Sequence, residues 1–290
     1  MYESHSRVAL ESGYFQLKRE ISVLRKLRVK CKNIVELERV IVCKPCNLIL
    51  MSLRFSGRPI MHMLETDFYN AWTAREQQGL IFNPMHFAHP ATRSVFREND
   101  AVACLRQLTD ALLCLKQHNI VHKDIKPDNV LINFPLCEWR DIQSERPVAD
   151  VVWEFNHNQP LELTLCDFNI AEERDSGRIF DAQGTVAFSP PEVFGRIDPS
   201  SGVDGFQRDI WSMGVLAYCL LTGESPVKEA ESSLMTQIQI VRLKTDNIRP
   251  QLPAFVKKEP LRRLVESLLD PDPSTRITVD RCARELRFLG

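Results

Sequence analysis

The chain has 290 residues, 44% of them apolar and 26% charged, which excludes a disordered tail and leaves room for one large core or two small lobes. Its 37 Lys and Arg nearly balance its 38 Asp and Glu, so no net field points to nucleic acid or an anionic membrane. Nine cysteines scattered from Cys31 to Cys282 do not make the dense, even framework of a secreted domain, which argues for reduced thiols and a cytoplasmic protein.

The N-terminal MYESHSRVALES lacks a basic stretch followed by an apolar one, and no run reaches bilayer length, so neither export nor anchoring is expected. From Tyr14 to Leu27, apolar Phe15, Leu17, Ile21, Leu24 and Leu27 recur at helical spacing, with Lys18, Arg19, Arg25 and Lys26 opposite, predicting an amphipathic helix. Ile34 to Leu37 and Val40 to Val42 are short β-branched runs, and Asn47 to Leu53 is an apolar run of strand length. Cys43 and Cys46 form a CxxC, but with Pro45 inside and no second pair it reads as a turn between strands, not a zinc or redox site. A small sheet packed on the helix is the expectation.

Residues 66–98 hold no sustained period and carry two Pro and two His, as an irregular insertion would. Helical order resumes over Asn99 to His118 through Ala103, Leu105, Leu108, Leu112 and Leu115. A second irregular stretch, about 134–160, precedes the alternating LELTL of residues 161–165, a strand. Gln207 to Leu221 is apolar on nearly all faces and predicts a buried helix with Asp209 as an inward charge. Further helices are expected over Met235 to Leu243, Leu261 to Leu269 and Val279 to Leu286, separated by loops holding Pro250, Pro253, Pro271 and Pro273.

Chemistry concentrates in HKDIKPDNVLI (122–132) and CDFN (166–169). The Asp124 carboxylate can accept a hydroxyl proton, and the Lys126 ammonium can neutralise a transferring phosphoryl. The Asn129 amide oxygen and the Asp167 carboxylate offer hard ligands for magnesium, while Pro127 keeps the intervening loop from becoming a regular helix. Singly each is an ordinary loop residue; jointly, with a strand before Asp167, they point to phosphoryl transfer.

These motifs resemble a eukaryotic protein kinase catalytic domain over about residues 14–288, with HKD standing for HRD, DIKPDN for DxKxxN, DFN for DFG and SPPE (189–192) for APE. Asp209, Trp211 and Gly214 match the family's DxWxxG helix, and Arg276 matches the Arg near its end. The resemblance implies an α+β, bilobal fold: a partial N-lobe over 1–51, with an incomplete sheet and the helix carrying Glu20, then hinge and a large, mainly helical C-lobe over 52–290, with insertions at about 66–98 and 134–160. It also implies ATP and Mg2+ as cofactors, Asp124 and Lys126 as catalytic residues, and Asn129 and Asp167 as metal ligands. Glu20 matches the helix Glu that pairs with the nucleotide-binding Lys, and Leu24, Leu37, His122 and Phe168 match a regulatory spine. Met51 would be the gatekeeper, Ser52, Leu53 and Arg54 the hinge facing adenine, and Leu131 the floor under the base. Glu192 would pair with Arg276, and Asp209 would hold the catalytic-loop backbone. Lys126 is similar to its counterpart in Ser/Thr kinases, and Thr185 resembles the activation-segment Thr that bonds the catalytic Asp and Lys there, implying a protein substrate with a Ser or Thr acceptor; the two insertions offer a place for a regulatory protein. SGRPIMHM and QGTVAFSPPE are similar to stretches of calcium/calmodulin-dependent kinase kinases, although both insertions depart from that pattern.

Other departures matter. No GxGxxG precedes Glu20, RVALE (7–11) imitates the family's VAIK with Glu11 at the Lys position, and Lys18 lies on a different face of the Glu20 helix. A chain starting inside a longer kinase domain is therefore favoured over a kinase without the clamp, and a pseudokinase or scaffold stands as the alternative function. Asn169 replaces Gly and tolerates a left-handed backbone, Lys123 replaces Arg, and Asp181 stands where relatives carry a phosphorylated residue, poised to pair weakly with Lys123. Cys166 reads as a buried structural thiol.

Overall fold

The long helix α1 (Tyr2–Leu27) turns Ile21, Val23, Leu24 and Leu27 into the core, and it packs on the first strand, β1 (Leu37–Cys43). It begins at Tyr2 rather than Tyr14, because no proline interrupts residues 2–13 and backbone hydrogen bonding propagates once a nucleus exists. RVALE is thus helical, not a strand. The computed structural model describes residues 2–28, 31–43, 48–54, 56–60, 96–133, 160–194, 198, 200–223 and 256–289. The centre of the CKPC turn, nearly all of both insertions and the helix expected over Met235 to Leu243 lie outside those residues.

β1 pairs antiparallel with β2 (Leu48–Leu53), matching Val40 to Met51 and Ile41 to Leu50. Because side chains alternate across a strand, Val40 and Ile49 face α1 while Ile41 and Leu50 stand exposed. The run from Ile34 splits: Ile34 makes a parallel bridge to Leu165, while Leu37 opens β1. The Asn33 carbonyl accepts from the Leu165 amide at 2.8 Å and the Val35 amide donates to the Leu165 carbonyl at 2.9 Å, which ties the segment after α1 to the other half of the molecule.

That half is built on helix α2 (Glu98–Gln117), whose buried Ala101, Cys104, Leu105, Leu108, Leu112 and Leu115 follow the 3.6-residue period. The Asp100 carboxylate accepts from the Arg97 amide at 2.8 Å and closes its N-terminus. Strands β3 (Arg58–Pro59), β5 (Val130–Asn133) and β6 (Glu162–Leu165) form an antiparallel sheet in that order, and β4 (Ile120–Val121) pairs with β7 (Glu172–Glu173). β8 (Arg178–Ile179) pairs with β9 (Val203–Asp204), which leads into α3 (Gly205–Thr222). Asp204 caps α3 by accepting from the Phe206 and Gln207 amides, and Gly223 ends it in the left-handed conformation at φ 75°. Nearly every α3 residue is buried, as its all-round apolar sequence predicts. Helices α4 (Glu259–Leu268) and α5 (Val279–Leu286) complete the bundle, α4 on α3 and α5 on α2.

One expectation is overturned. Cys31 and Cys114 are joined in a disulfide with their Cα atoms 5.8 Å apart, so the thiols are not all reduced. The two lie 83 residues apart, a separation that no local cysteine spacing signals. Among the described residues, no helix is long and apolar enough to cross a membrane.

Candidate active site

The loop between β4 and β5 and the segment after β6 meet above α3. Pro127 starts a 3-10 turn over Pro127–Asn129, so the loop folds back and brings Asn129 beside Asp124. The Asn129 amide nitrogen donates to the Asp124 carbonyl at 2.9 Å and to its Oδ2 at 3.1 Å. With the NH2 so engaged, the amide oxygen is left as the group able to face a cation.

Asp124 Oδ1 accepts from the Thr185 amide at 2.8 Å and from its hydroxyl at 2.7 Å. Lys126 Nζ donates to Thr185 Oγ1 at 3.0 Å and stands 3.3 Å from Asp124 Oδ2. The threonine hydroxyl thus spends its one proton on the carboxylate and takes the lysine's. Burial works to raise the pKa of Asp124, but the Thr185 bonds and the Lys126 charge outweigh it and hold the carboxyl below its ordinary value. Asp124 is therefore an anion at neutral pH, as a proton acceptor must be.

The scaffold beneath is largely hydrogen-bonded, although Arg208 Nε and Nη1, Trp211 Nε1 and Gln207 Oε1 are buried without a hydrogen-bond partner among the described residues. Buried Asp209 accepts from the His122 amide at 2.8 Å and the Lys123 amide at 3.0 Å, although burial drives its pKa upward. Glu192 and Arg276 meet through two parallel bonds of 2.7 and 3.0 Å, and the same guanidinium donates to the Gln207 and Asp270 carbonyls and lies 5.0 Å over the Trp211 ring. Lys123, its side chain wholly buried, reaches Asp181 at 3.0 Å and Glu172 at 3.2 Å. Burial opposes ionisation of Asp181, and the Lys123 bond and charge overcome it and lower its pKa. The lysine end of the pair is enclosed, while the Asp181 side chain is 40% exposed. Glu172 is a partner that the sequence did not mark.

Arg208 was missed as well. Its fully buried guanidinium donates through one nitrogen to the Lys123 carbonyl at 3.0 Å and to the Gln183 carbonyl, stitching the catalytic loop to the segment that carries Thr185. Gly184 is needed there: its φ is 120°, and a Cβ would lie 2.5 Å from both the Lys123 oxygen and the Arg208 nitrogen.

Asp167 follows β6 with φ 64°, and Lys123 has φ 71°, two non-glycine residues in the left-handed region on either side of Asp124. Asn169 is not among the left-handed residues, so the strain expected at the Gly position falls on Asp167 instead. Behind it, Phe168 lies edge-on to His122 at 4.8 Å, and both are buried along with Leu24 and Leu37. His122 Nδ1 accepts from the Asp124 amide at 3.2 Å, which leaves Nε2–H to donate to the Cys166 carbonyl at 3.0 Å. The Cys166 thiol, 3.4 Å from the Asn129 carbonyl, is pushed up to about 12 by burial and by the Asp167 and Glu20 charges.

The upper wall is less complete. Glu20, 8% exposed, accepts from the Phe168 amide at 3.2 Å, and among the described residues no Lys or Arg pairs with it. Burial raises its pKa, and the nearby Asp167 charge adds to the rise. Lys18 instead sits 4.4 Å over the Tyr14 ring on the exposed side of α1. Met51, Ser52 and Leu53 end β2, with Ser52 Oγ 3.4 Å from Glu38; Arg54 follows, its amide bonded to the Glu36 carbonyl and its guanidinium 2.7 Å from the Glu36 carboxylate. Leu131 lies half-buried in β5, opposite Thr164.

A family profile for the protein kinase domain matches residues 4–287. CBL-interacting protein kinase 4 of Oryza sativa subsp. japonica is 32% identical over 181 residues, 61% of this chain and 32% of the relative. CBL-interacting serine/threonine-protein kinase 15 of Arabidopsis thaliana is 27% identical over 277 residues, 94% of this chain and 50% of the relative. Serine/threonine-protein kinase ppk34 of Schizosaccharomyces pombe is 27% identical over 274 residues, 94% of this chain and 60% of the relative. The chain thus spans from 32% to 60% of the length of these relatives. Among solved structures, that of the Rad53 kinase domain and SCD2 superposes with a TM-score of 0.60 at 22% identity, covering 94% of this chain and 78% of the other, which shows the bilobal fold.

Proposed function

The chain belongs to the protein kinase domain family, and on that premise we propose that it transfers the γ-phosphoryl group of ATP to a Ser or Thr hydroxyl of a protein. The observation that carries the reading is the Asp124–Thr185–Lys126 cluster, an ionised carboxylate held by a threonine that also receives a lysine. Asp124 takes the proton of the acceptor hydroxyl as the oxygen attacks, and Lys126 offsets charge on the group in transit. Lys126 and Thr185 also favour a Ser or Thr acceptor over Tyr. Asn129 and Asp167 present the hard oxygens suited to Mg2+, which when bound neutralises phosphate charge.

Asp181, already paired with Lys123, supplies the negative charge that phosphorylation supplies elsewhere, so the segment around Thr185 is ordered without modification. Two relatives are named as CBL-interacting; for this chain we infer a regulatory protein partner that engages the insertions at 66–98 and 134–160 of the larger lobe, which starts at residue 52. A second reading, a pseudokinase or scaffold, is favoured by Glu20, whose buried carboxylate has no cationic partner among the described residues.

Melting of the chain with and without ATP and Mg2+, followed by phosphate transfer to a mixed Ser/Thr peptide pool, separates the two. The enzyme reading expects a rise in Tm with the pair of ligands and turnover that drops about 10²- to 10⁴-fold in Asp124→Asn. No thermal shift and no transfer sinks it.

A further inference from the structure

We propose that Cys31 and Cys114 form a reversible thiol–disulfide site that fastens the segment after α1 onto α2, assisted by His118. Cys31 follows α1 closely, and Cys114 lies in the last turn of α2. Their Cα atoms stand 5.8 Å apart, within the range that a disulfide bridges without backbone movement. His118 sits one helical turn beyond Cys114, its Nδ1 3.8 Å from the Cys114 sulfur and 2.8 Å from the Cys114 carbonyl oxygen. The two sulfurs and an imidazole nitrogen all lie within 4.8 Å of one another.

The surroundings favour this pair over most other described thiols. Burial pushes Cys219 up to about 12 and Cys282 to about 11, and drives Cys104 higher still. Cys166 is held up near 12 by burial and two neighbouring carboxylates. Since the thiolate is the nucleophile, these four are inert at neutral pH. Cys31 and Cys114 are both half-buried, their sulfurs meet, and an imidazole stands beside one of them.

The chemistry closes with a small disulfide such as glutathione disulfide as oxidant. The Cys114 thiol gives its proton to water and, as a thiolate steadied by the adjacent His118 Nδ1–H, attacks one sulfur of glutathione disulfide, breaking its S–S bond and releasing one glutathione thiol. The Cys31 thiolate then attacks the Cys114 sulfur of the mixed disulfide and expels the second glutathione. Two protein thiols are oxidised to one disulfide, and one glutathione disulfide is reduced to two thiols. Excess glutathione or a dithiol runs the sequence backwards.

The link has a mechanical consequence. α1 carries Glu20, which accepts from the Phe168 amide, and Cys31 lies between the end of α1 and the Asn33–Leu165 bonds. Closing the disulfide pins α1 at its C-terminal end and holds Glu20 against Phe168. Opening it leaves that end to the packing of Leu24 and Leu27, the Lys26–Glu173 ion pair and the bonds to Leu165.

The full chain is oxidised with glutathione disulfide or reduced with dithiothreitol, then mapped by alkylation and mass spectrometry, melted, and followed by hydrogen exchange at Phe168. The expectation is a linked 31–114 peptide only in the oxidised form and a Tm about 5 to 10 °C higher. Stronger protection of the Phe168 amide should accompany oxidation, and Cys31→Ser or Cys114→Ser should abolish the redox dependence. Where a variant fails to fold, the reduced and alkylated wild type provides the same comparison. His118→Gln is expected to slow closure about tenfold. Both sulfurs fully alkylated after oxidation would overturn the proposal, as would a stoichiometric zinc ion on unlinked sulfurs. Equal Phe168 protection in the two redox states defeats the pinning of α1, and an unchanged closure rate in His118→Gln removes the assistance. None of these readouts needs phosphoryl transfer, so they stand or fall apart from the kinase reading.

Discussion

The region below the cleft and the region above it treat their charges in opposite ways. Below, Asp209 receives two amides, Arg276 receives a bidentate carboxylate, Lys123 has two acidic partners and Asp124 is ringed by donors. Above, Glu20 is buried with a single backbone donor, and the β1–β2 hairpin leaves Ile41, Val42 and Leu50 more than half exposed. A buried charge is tolerable only when compensated nearby: the four lower groups just named meet that condition, Arg208 does so through one of its nitrogens, and Glu20 finds no cationic partner among the described residues. The geometry around Asp124 is therefore held mainly by the helical lobe, whereas the wall that carries Glu20 has fewer charge-compensating contacts among the described residues.

The largest effect belongs below. Arg276→Ala removes a buried guanidinium, leaves the partly buried Glu192 carboxylate without its bidentate partner, and should cost about 3 kcal/mol in chemical denaturation. A loss under about 1 kcal/mol would mean that the lower network is not what holds this lobe together. Next, Asp181→Ala removes one of two partners of Lys123; because Asp181 is partly exposed and Glu172 remains, about 1 kcal/mol is expected, with turnover lowered several-fold. Unchanged turnover in that variant argues against Asp181 standing in for a phosphate.

The pH response sharpens the contrast, since the two carboxylates have shifts of opposite sign. Glu20 is raised above its ordinary 4.5, so its contribution is present below that pH and is lost as pH rises through the higher folded value. Asp124 is lowered from 3.8, so its contribution is present above that pH and is lost as pH falls through the lower folded value. Glu20→Gln should flatten the decline of Tm above about pH 4.5 while changing stability at low pH by no more than about 1 kcal/mol. A pH profile identical to wild type would show that Glu20 is neutralised by a group above the cleft. The smallest effect is expected on the open face of the hairpin: Ile41→Thr should shift stability by less than about 0.5 kcal/mol, and a loss of 2 kcal/mol or more would show that this face is covered in solution.

Much of this was legible in the residues. The period of Leu105, Leu108, Leu112 and Leu115 marked α2, and the all-apolar run after Gln207 marked α3 as buried, because helical burial leaves a local imprint. DIKPDN and CDFN named the site because their members sit within a few positions of one another. Residues 2–13 were passed over since they show no apolar stripe, yet the helix runs through them. Arg208 and Glu172 belong to no motif, and their partners Gln183 and Lys123 come from distant segments of the chain.

Taken alone, the sequence determined the order of elements, the buried helices, and the set of side chains able to handle a proton, a phosphate and a cation, because those properties reside in spacing and residue type. Only the tertiary structure decided that Arg208 joins the catalytic loop to Gln183, that Asp167 and not Asn169 takes the left-handed backbone, that Glu172 is a second acid on Lys123, and that Cys31 meets Cys114 across 83 residues. Each of these depends on where distant segments of one chain come to rest, and contacts at such separations leave no period or spacing to read.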